Sequence, residues 1–233
     1  MAEQKKEIAD FYDQFSDHQV KLGVNIRHRT IFSNLKKAGL TSSSKVLEIG
    51  CGIGTVSSLI IPYISNGSFL GVDISKESIE IAQKRNSNYK NAGFMVSDMS
   101  DFKTEEKYDF FVLPDVLEHI PVEQHPALFQ TLGNHAHEKS VILINIPEPY
   151  TLDWTRQHNP AALQIIDQSL SLQDLCNSIY PAGFYLFSVC PYGLQYQHEE
   201  YLAIVCKRNT RRERVEFRGK LDLGLRNLLS KFR

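Results

Sequence analysis

Tryptophan occurs once in these 233 residues, methionine three times and cysteine four times. The cysteines stand at 51, 176, 190 and 206 and form no C-x-x-C pair. That excludes the spacing of a zinc ribbon and the paired framework of a small secreted domain. Reduced thiols and a cytoplasmic setting are expected instead, with no bound metal. No apolar run reaches the roughly 18–20 residues that a membrane span requires. Met-Ala-Glu-Gln-Lys-Lys-Glu at the N-terminus leads into no apolar signal core. A strong excess of one charge is also absent, but the net charge of −1 hides an asymmetry. Residues 207–233 carry ten Lys/Arg against three Asp/Glu, which leaves 16 basic and 24 acidic residues, a net −8, on the rest. An acidic body with a basic tail is a poor general ligand for nucleic acid, and no such partner is expected.

What is present is a β-α alternation long enough for one substantial α/β domain. Lys45–Ile49 reads as a short buried strand, Gly50, Gly52 and Gly54 as a turn, and 55–64 as an apolar helix. Glycines there permit positive φ and let backbone N–H groups approach a ligand at a helix N-terminus, which makes a nucleotide-binding edge. A nicotinamide or flavin dinucleotide would call for G-x-G-x-x-G, and the position of its third glycine is Thr55. S-adenosylmethionine is the other candidate. Ser68–Val72 reads as a second strand closing on Asp73, an acid able to accept ribose hydroxyls in either case. Ser75 is a predicted N-cap for a helix reaching about Arg85. Gly93–Ser97 is a third strand, closing on Asp98 and Met99. Tyr108–Leu113 is a fourth, apolar throughout as in a sheet covered on both faces.

Two strings carry a family resemblance. Leu47-Glu48-Ile49-Gly50-Cys51-Gly52-Ile53-Gly54 resembles the first motif of class I S-adenosylmethionine-dependent methyltransferases, and Val116-Leu-Glu-His-Ile120 resembles the segment after strand four in their small-molecule members. The resemblance covers about residues 40–206. It implies a doubly wound, mostly parallel seven-stranded sheet of Rossmann-like type, with an N-terminal helical lid over residues 1–40 and a last strand inserted antiparallel. By the same resemblance Asp98 accepts from the adenine amino group, and the backbone N–H of Met99 meets a ring nitrogen. Cys51 and Ile74 lie in the same shell. Leu113 passes the sulfonium end. Glu48 orders the glycine loop or lies near the methionine amino group. Helices over 5–22 and 27–38 are expected to form the lid, where Tyr12 reaches the methionine carboxylate and Arg27 pairs with it, or where these residues merely pack. His119 serves as a general base or orients its local helix.

The acceptor side has no signature. Residues 146–168, without clear periodicity, are taken as a substrate-facing insertion with Asp153, Trp154, Arg156 and His158 as contacts. Tyr192, Tyr196 and His198, in the connection between the last two strands, are expected to close the pocket. A helix over 126–136 and a strand over 140–145 precede the insertion, with His135 and His137 at a solvated helix end. After strand four stands Leu113-Pro-Asp-Val116 rather than Asn-Pro-Pro-Tyr, which leaves a small molecule, such as a hydroxylated metabolite, sugar or natural-product precursor, as the leading acceptor. Oxygen is favoured over nitrogen, with His158 and then His119 as bases. Two other classes stay open: a non-catalytic protein that keeps the cofactor fold, and an NAD(P)-dependent oxidoreductase. In the tail 207–233, Leu221, Leu225, Leu228, Leu229 and Phe232 fall on one helical face among basic residues. Such a helix packs on its own domain, on a second subunit as a homodimer contact, or on an anionic membrane surface.

Overall fold

The computed structural model describes residues 23–164 and 166–210, with 219, 222, 226, 228 and 229 of the tail. The helix expected over 5–22, including Tyr12, and most of the basic tail lie outside the described residues.

Seven strands form one sheet: β1 (Lys45–Ile49), β2 (Ser68–Asp73), β3 (Ala92–Val96), β4 (Tyr108–Pro114), β5 (Ala136–Pro147), β6 (Phe184–Tyr192) and β7 (Tyr201–Arg208). Their order is β3-β2-β1-β4-β5-β7-β6. The first five pair in parallel, and β7 runs antiparallel between β5 and β6. This is the doubly wound arrangement expected from the sequence, including the inserted last strand.

The apolar runs explain it. Leu47, Ile49, Phe111, Leu113, Ile142 and Ile144 face one buried cluster. Their neighbours Val46, Phe110, Val112, Val141 and Leu143 face the other. Successive side chains point to opposite faces, so strands apolar at every position need cover on both. Each fully buried Leu, Ile or Phe contributes about 1.5–3 kcal/mol. Helices α1 (Ile26–Lys37), α2 (Ser57–Tyr63), α3 (Lys76–Arg85), α4 (His125–Asn134), α5 (Pro149–His158) and α6 (Leu172–Ile179) supply that cover. Ile31 and Leu35 of α1 sit in the second cluster, as do Ile60 and Ile61 of α2. Ser75 caps α3 by accepting from the Ser78 N–H at 3.0 Å.

Three departures from the sequence reading have local causes. Residues 149–158 form a helix, started by Pro149 at its first position and capped by Glu148, which accepts from the Thr151 N–H at 2.8 Å. Its core face is Leu152 alone, so the sequence carries no apolar stripe to reveal it. Strand β5 begins at Ala136 rather than 140. His135 is buried rather than solvated: its Nε2 accepts from the Thr104 N–H at 3.2 Å, and its ring packs edge-on against Phe102. No helix among the described residues is long and apolar enough to cross a membrane.

Candidate active site

The strand order reverses beside β1, and ligands of open α/β sheets bind at that switch, beyond the carboxyl ends of the strands. There the ends of β1 to β5 open on one cavity of about 880 Å³, near the upper end of the usual range for small-molecule sites. Gly50, Cys51 and Gly52 wall it after β1, Asp73 and Ile74 after β2, and Asp98 and Met99 after β3. Pro114, Asp115 and Val116 follow β4, and α1 contributes Arg27.

The glycine turn is held at both sides. Gly50 adopts φ 67°, and a Cβ there would lie 2.4 Å from Val116 Cγ2, so any larger residue would collide with the chain after β4. Cys51 N–H donates to the Val72 carbonyl at 3.0 Å and Gly52 N–H to Asp73 Oδ2 at 2.8 Å. Asp73 Oδ1 accepts from the Ser75 N–H at 2.9 Å, so one carboxylate ties the turn to the tip of β2. Gly54, expected among the cofactor contacts, does not line the cavity; at φ 76° it packs close to Ala82 of α3 and to Asn86, which caps that helix.

At the tip of β3, Asp98 Oδ1 accepts from the Ser100 N–H at 2.9 Å and the Ser100 hydroxyl at 2.6 Å. Met99 follows in the left-handed region at φ 66°, and its N–H donates to Ser97 Oγ at 3.0 Å. That N–H, expected to meet a ring nitrogen, is therefore engaged, while the buried Met99 side chain lines the wall. Leu113, expected beside the sulfonium, is fully buried within β4, and Pro114 to Val116 form that wall instead.

Arg27 also differs from expectation. Its Nε stands 3.2 Å from Asp115 Oδ2, its Nη1 donates to the Tyr201 hydroxyl at 3.2 Å, and its guanidinium lies over the Tyr201 ring. The neighbouring Asp115 charge outweighs burial and raises the arginine's pKa, so it stays protonated. Asp115 in turn accepts from Asn145 Nδ2 at 2.6 Å, and the Tyr192 hydroxyl donates to Asn145 Oδ1 at 2.6 Å. Tyr192 is thus part of the support beneath the site, stacked on Tyr201, rather than a wall of the cavity. Asp115 holds φ 56°, a conformation that Asp tolerates at some cost.

Two carboxyls on the cavity wall, Glu48 and Glu118, are buried, and each keeps one oxygen without a hydrogen-bond partner among the described residues. Ser57 donates to Glu48 Oε2 at 2.7 Å, but loss of water pushes its carboxyl up to about 8. Burial does the same to Glu118, also up to about 8. A buried acceptor left unpaired costs about 1–3 kcal/mol, so two on one wall fit a ligand that brings its own donors.

His119 lies on the cavity wall, but its ring is engaged by neighbours. Its Nδ1 lies 3.1 Å from Asp167 Oδ1 and 2.5 Å from the Ile166 carbonyl, and Nε2 lies 3.9 Å from Glu118 Oε1. Burial disfavours its charge, but the bond to Asp167 and the Glu118 charge prevail and raise it to about 9. It is a cationic clasp between the turn after β4 and residues 166–167. Gln168 completes that lacing, its N–H donating to the Glu118 carbonyl at 3.0 Å and its Nε2 to the Ile120 carbonyl at 2.8 Å.

The insertion does wall the cavity, but with Thr151, Leu152, Thr155, Leu163, Gln164 and Asp167. Of the four contacts expected there, none reaches it. Asp153 and Arg156 pair with each other and hold the 167–169 turn, Ser169 Oγ donating to Asp153 and Arg156 Nη2 to the Asp167 carbonyl at 2.7 Å. His158 is exposed, stacked on Trp154 at 4.6 Å, with Nδ1 2.8 Å from the Trp154 carbonyl. Trp154 and His198 line a second hollow, and Tyr196 lines both. Asp115, Asn145, Tyr201 and a role for Glu118 were not singled out from sequence. An acid directly after the strand-four end and a carboxyl beside His119 in an apolar string were the available signals.

A seven-stranded sheet with an inserted antiparallel strand, and a glycine turn bonded to the acid at the tip of β2, define the fold of class I S-adenosylmethionine-dependent methyltransferases. Residues 46–139 match a family model described as a methyltransferase domain, and the chain carries such a domain. It is 27% identical over 143 residues to a malonyl-[acyl-carrier protein] O-methyltransferase of Bacillus cereus, covering 55% of this chain and 51% of that protein. Nodulation protein S of Bradyrhizobium diazoefficiens is 24% identical over 114 residues, 48% of this chain and 54% of that one. The chain thus spans about half the length of these curated relatives. The magnesium protoporphyrin IX methyltransferase of Synechocystis PCC 6803, crystallised with bound SAH, superposes with a TM-score of 0.70 at 18% identity, over 88% of this chain and 99% of that one.

Proposed function

We propose that this chain is an S-adenosylmethionine-dependent methyltransferase acting on an oxygen of a small-molecule acceptor. The observation that carries the proposal is the convergence of the glycine turn, Asp73 and the Asp98–Met99 tip on one cavity. When bound, the cofactor supplies a methyl group already activated by sulfonium. The protein's contribution is then alignment and exclusion of water, for which orientation alone supplies about 7–11 kcal/mol. Asp73 accepts from ribose hydroxyls while it braces the turn, and Asp98 and Met99 form the adenine wall. Glu48 offers its unpaired oxygen to the amino group of the methionine arm. With His119 clasped and His158 outside, Glu118 takes over the proton-accepting role for an acceptor hydroxyl; its carboxyl lies on the wall and is ionised above about 8, so methyl transfer is expected to rise as pH passes that value. Malonyl-[acyl-carrier protein] O-methyltransferase among the relatives favours oxygen, and the structurally similar N-methyltransferase NodS of Bradyrhizobium japonicum keeps nitrogen as the second choice.

Calorimetry with S-adenosylhomocysteine and with NAD is the direct test. Binding of the thioether alone, weakened by about 10- to 100-fold in Asp73→Ala, is expected, since bonds to a charged group contribute about 1.5–3 kcal/mol. Binding of NAD in its place would overturn the assignment.

A further inference from the structure

The second hollow, about 640 Å³, opens beside the main cavity, and Thr151 and Tyr196 form part of the wall of both. Its other walls include Tyr150, Trp154, His198 and Leu202. Three of these rings are largely exposed: Tyr150 at 82%, Trp154 at 54% and Tyr196 at 56%. Large aromatic side chains usually bury most of their area, so three around one hollow mark a surface that awaits cover. The rings are also held in order. Trp154 stacks on His158 at 14° between planes, and Tyr196 on His198 at 3°.

The frame that holds them is built. Buried Glu200 gathers the loop 193–199: its Oε2 accepts from the backbone N–H groups of Leu194 at 2.5 Å, Gln195 at 2.5 Å and Tyr196 at 3.2 Å. A Cβ at Gly193 would lie 2.4 Å from the His198 carbonyl, so the loop closes tightly on itself. The loop is then tied to α5, with Glu148 N–H donating to the Glu200 carbonyl at 2.7 Å and Thr151 Oγ1 to the Glu199 carbonyl at 3.1 Å. The flat faces therefore stand in a fixed relation to the cavity beside them.

We infer that this hollow is the outer subsite for the acceptor, and that it takes a planar aromatic portion whose reactive group extends past Thr151 and Tyr196 into the main cavity. The inference rests on the methyl-transfer assignment and narrows its acceptor to aromatic compounds. The wall shared through Thr151 and Tyr196 names the occupant, and ordered π-faces favour a flat ring over an aliphatic chain. The chain's single tryptophan lies in this wall, so its emission reports directly on occupancy.

The test uses the full chain saturated with S-adenosylhomocysteine and the neutral fluorophore N-phenylnaphthylamine, excited by energy transfer from Trp154. Saturable sensitised emission is expected, displaced by naphthol but not by decanol or methyl glucoside at equal concentration. Tyr196→Ala weakens binding about five- to tenfold, and Tyr196→Phe, which keeps the ring, restores it. In a labelled-methyl assay, naphthol-like phenols accept methyl and decanol does not. Absence of saturable transfer, equal displacement by decanol, or indifference to Tyr196→Ala each overturns the inference. Calorimetry with S-adenosylhomocysteine on the unsubstituted chain separates this failure from failure of the cofactor assignment: a chain that binds the thioether but shows no saturable transfer loses the subsite alone, whereas one that binds no thioether loses the assignment.

Discussion

Glu48, Glu118 and His119 together set how the folded protein responds to pH. The two carboxyls hold protons in the fold up to about 8, whereas the unfolded chain releases them near 4.5. Between these values the native state binds more protons than the unfolded one, so stability falls as pH rises. His119 adds to the same trend: its folded value of about 9 exceeds 6.5, so its contribution is full below 6.5 and lost as pH climbs through 9. Calorimetric scans should thus show Tm declining from about pH 5 to about pH 9. Glu48→Gln, which cannot ionise, should make the portion below about pH 8 shallower and leave the portions due to Glu118 and His119. A Tm that climbs across that range would contradict the burial argument. The same residues predict an activity pattern. His158→Ala should change the methyl-transfer rate by less than about twofold, because its ring stands on the outer side of α5, whereas Glu118→Gln should lower it about 100-fold or more. A large loss in His158→Ala alone would return that histidine to the site.

At the scale of elements, the joint between α1 and the sheet is the most exacting. Arg27 brings a charge to Asp115, and Asp115 takes a left-handed backbone to meet it while bonding Asn145. Asp115→Ala keeps the unfavourable φ and strands both partners, so urea unfolding should show a loss of about 2–4 kcal/mol. Arg27→Ala should chiefly raise amide exchange within 26–37, since Ile31 and Leu35 still anchor the helix. Equal exchange in both proteins would mean that the ion pair does not hold α1. Elements with strong local signals were legible from sequence: β1, β2 and β4 as apolar runs, α3 from its Ser75 cap, and the glycine turn from its spacing. What escaped reading was set by partners distant in the chain. Helix α5 has one buried side chain, Leu152, and owes its position to residues 199 and 200. The Arg27–Asp115 pair joins two segments far apart in the chain through a backbone angle that no local pattern announces. For the same reason Asp153, Arg156 and His158, expected to contact the acceptor, fell on α5 but away from the main cavity.

For the whole molecule, the separation of charge gives a test of the tail. Leu228 and Leu229 are exposed at 54% and 57%, and Asp222 pairs with Arg226 one turn apart. Strand β7 ends at Arg208, so removal of 211–233 should leave Tm within a few degrees of the full chain. Sedimentation with anionic vesicles should then distinguish the tail's partners: binding lost with the tail and screened by salt supports a membrane surface. Equal binding by the truncated chain would exclude it.

The position of β7 also dictates an order of assembly during synthesis. Strand β5, buried along most of its length, gains its second neighbour only when residues 201–208 have left the ribosome, and β6 must wait unpaired until then. A nascent chain stalled before that point presents Val141 to Ile146 as a bare hydrophobic edge, the kind of surface on which other chains stack. Completion of the sheet is therefore a late, all-at-once event, and premature termination ahead of residue 201 should yield inclusion bodies instead of a smaller working enzyme.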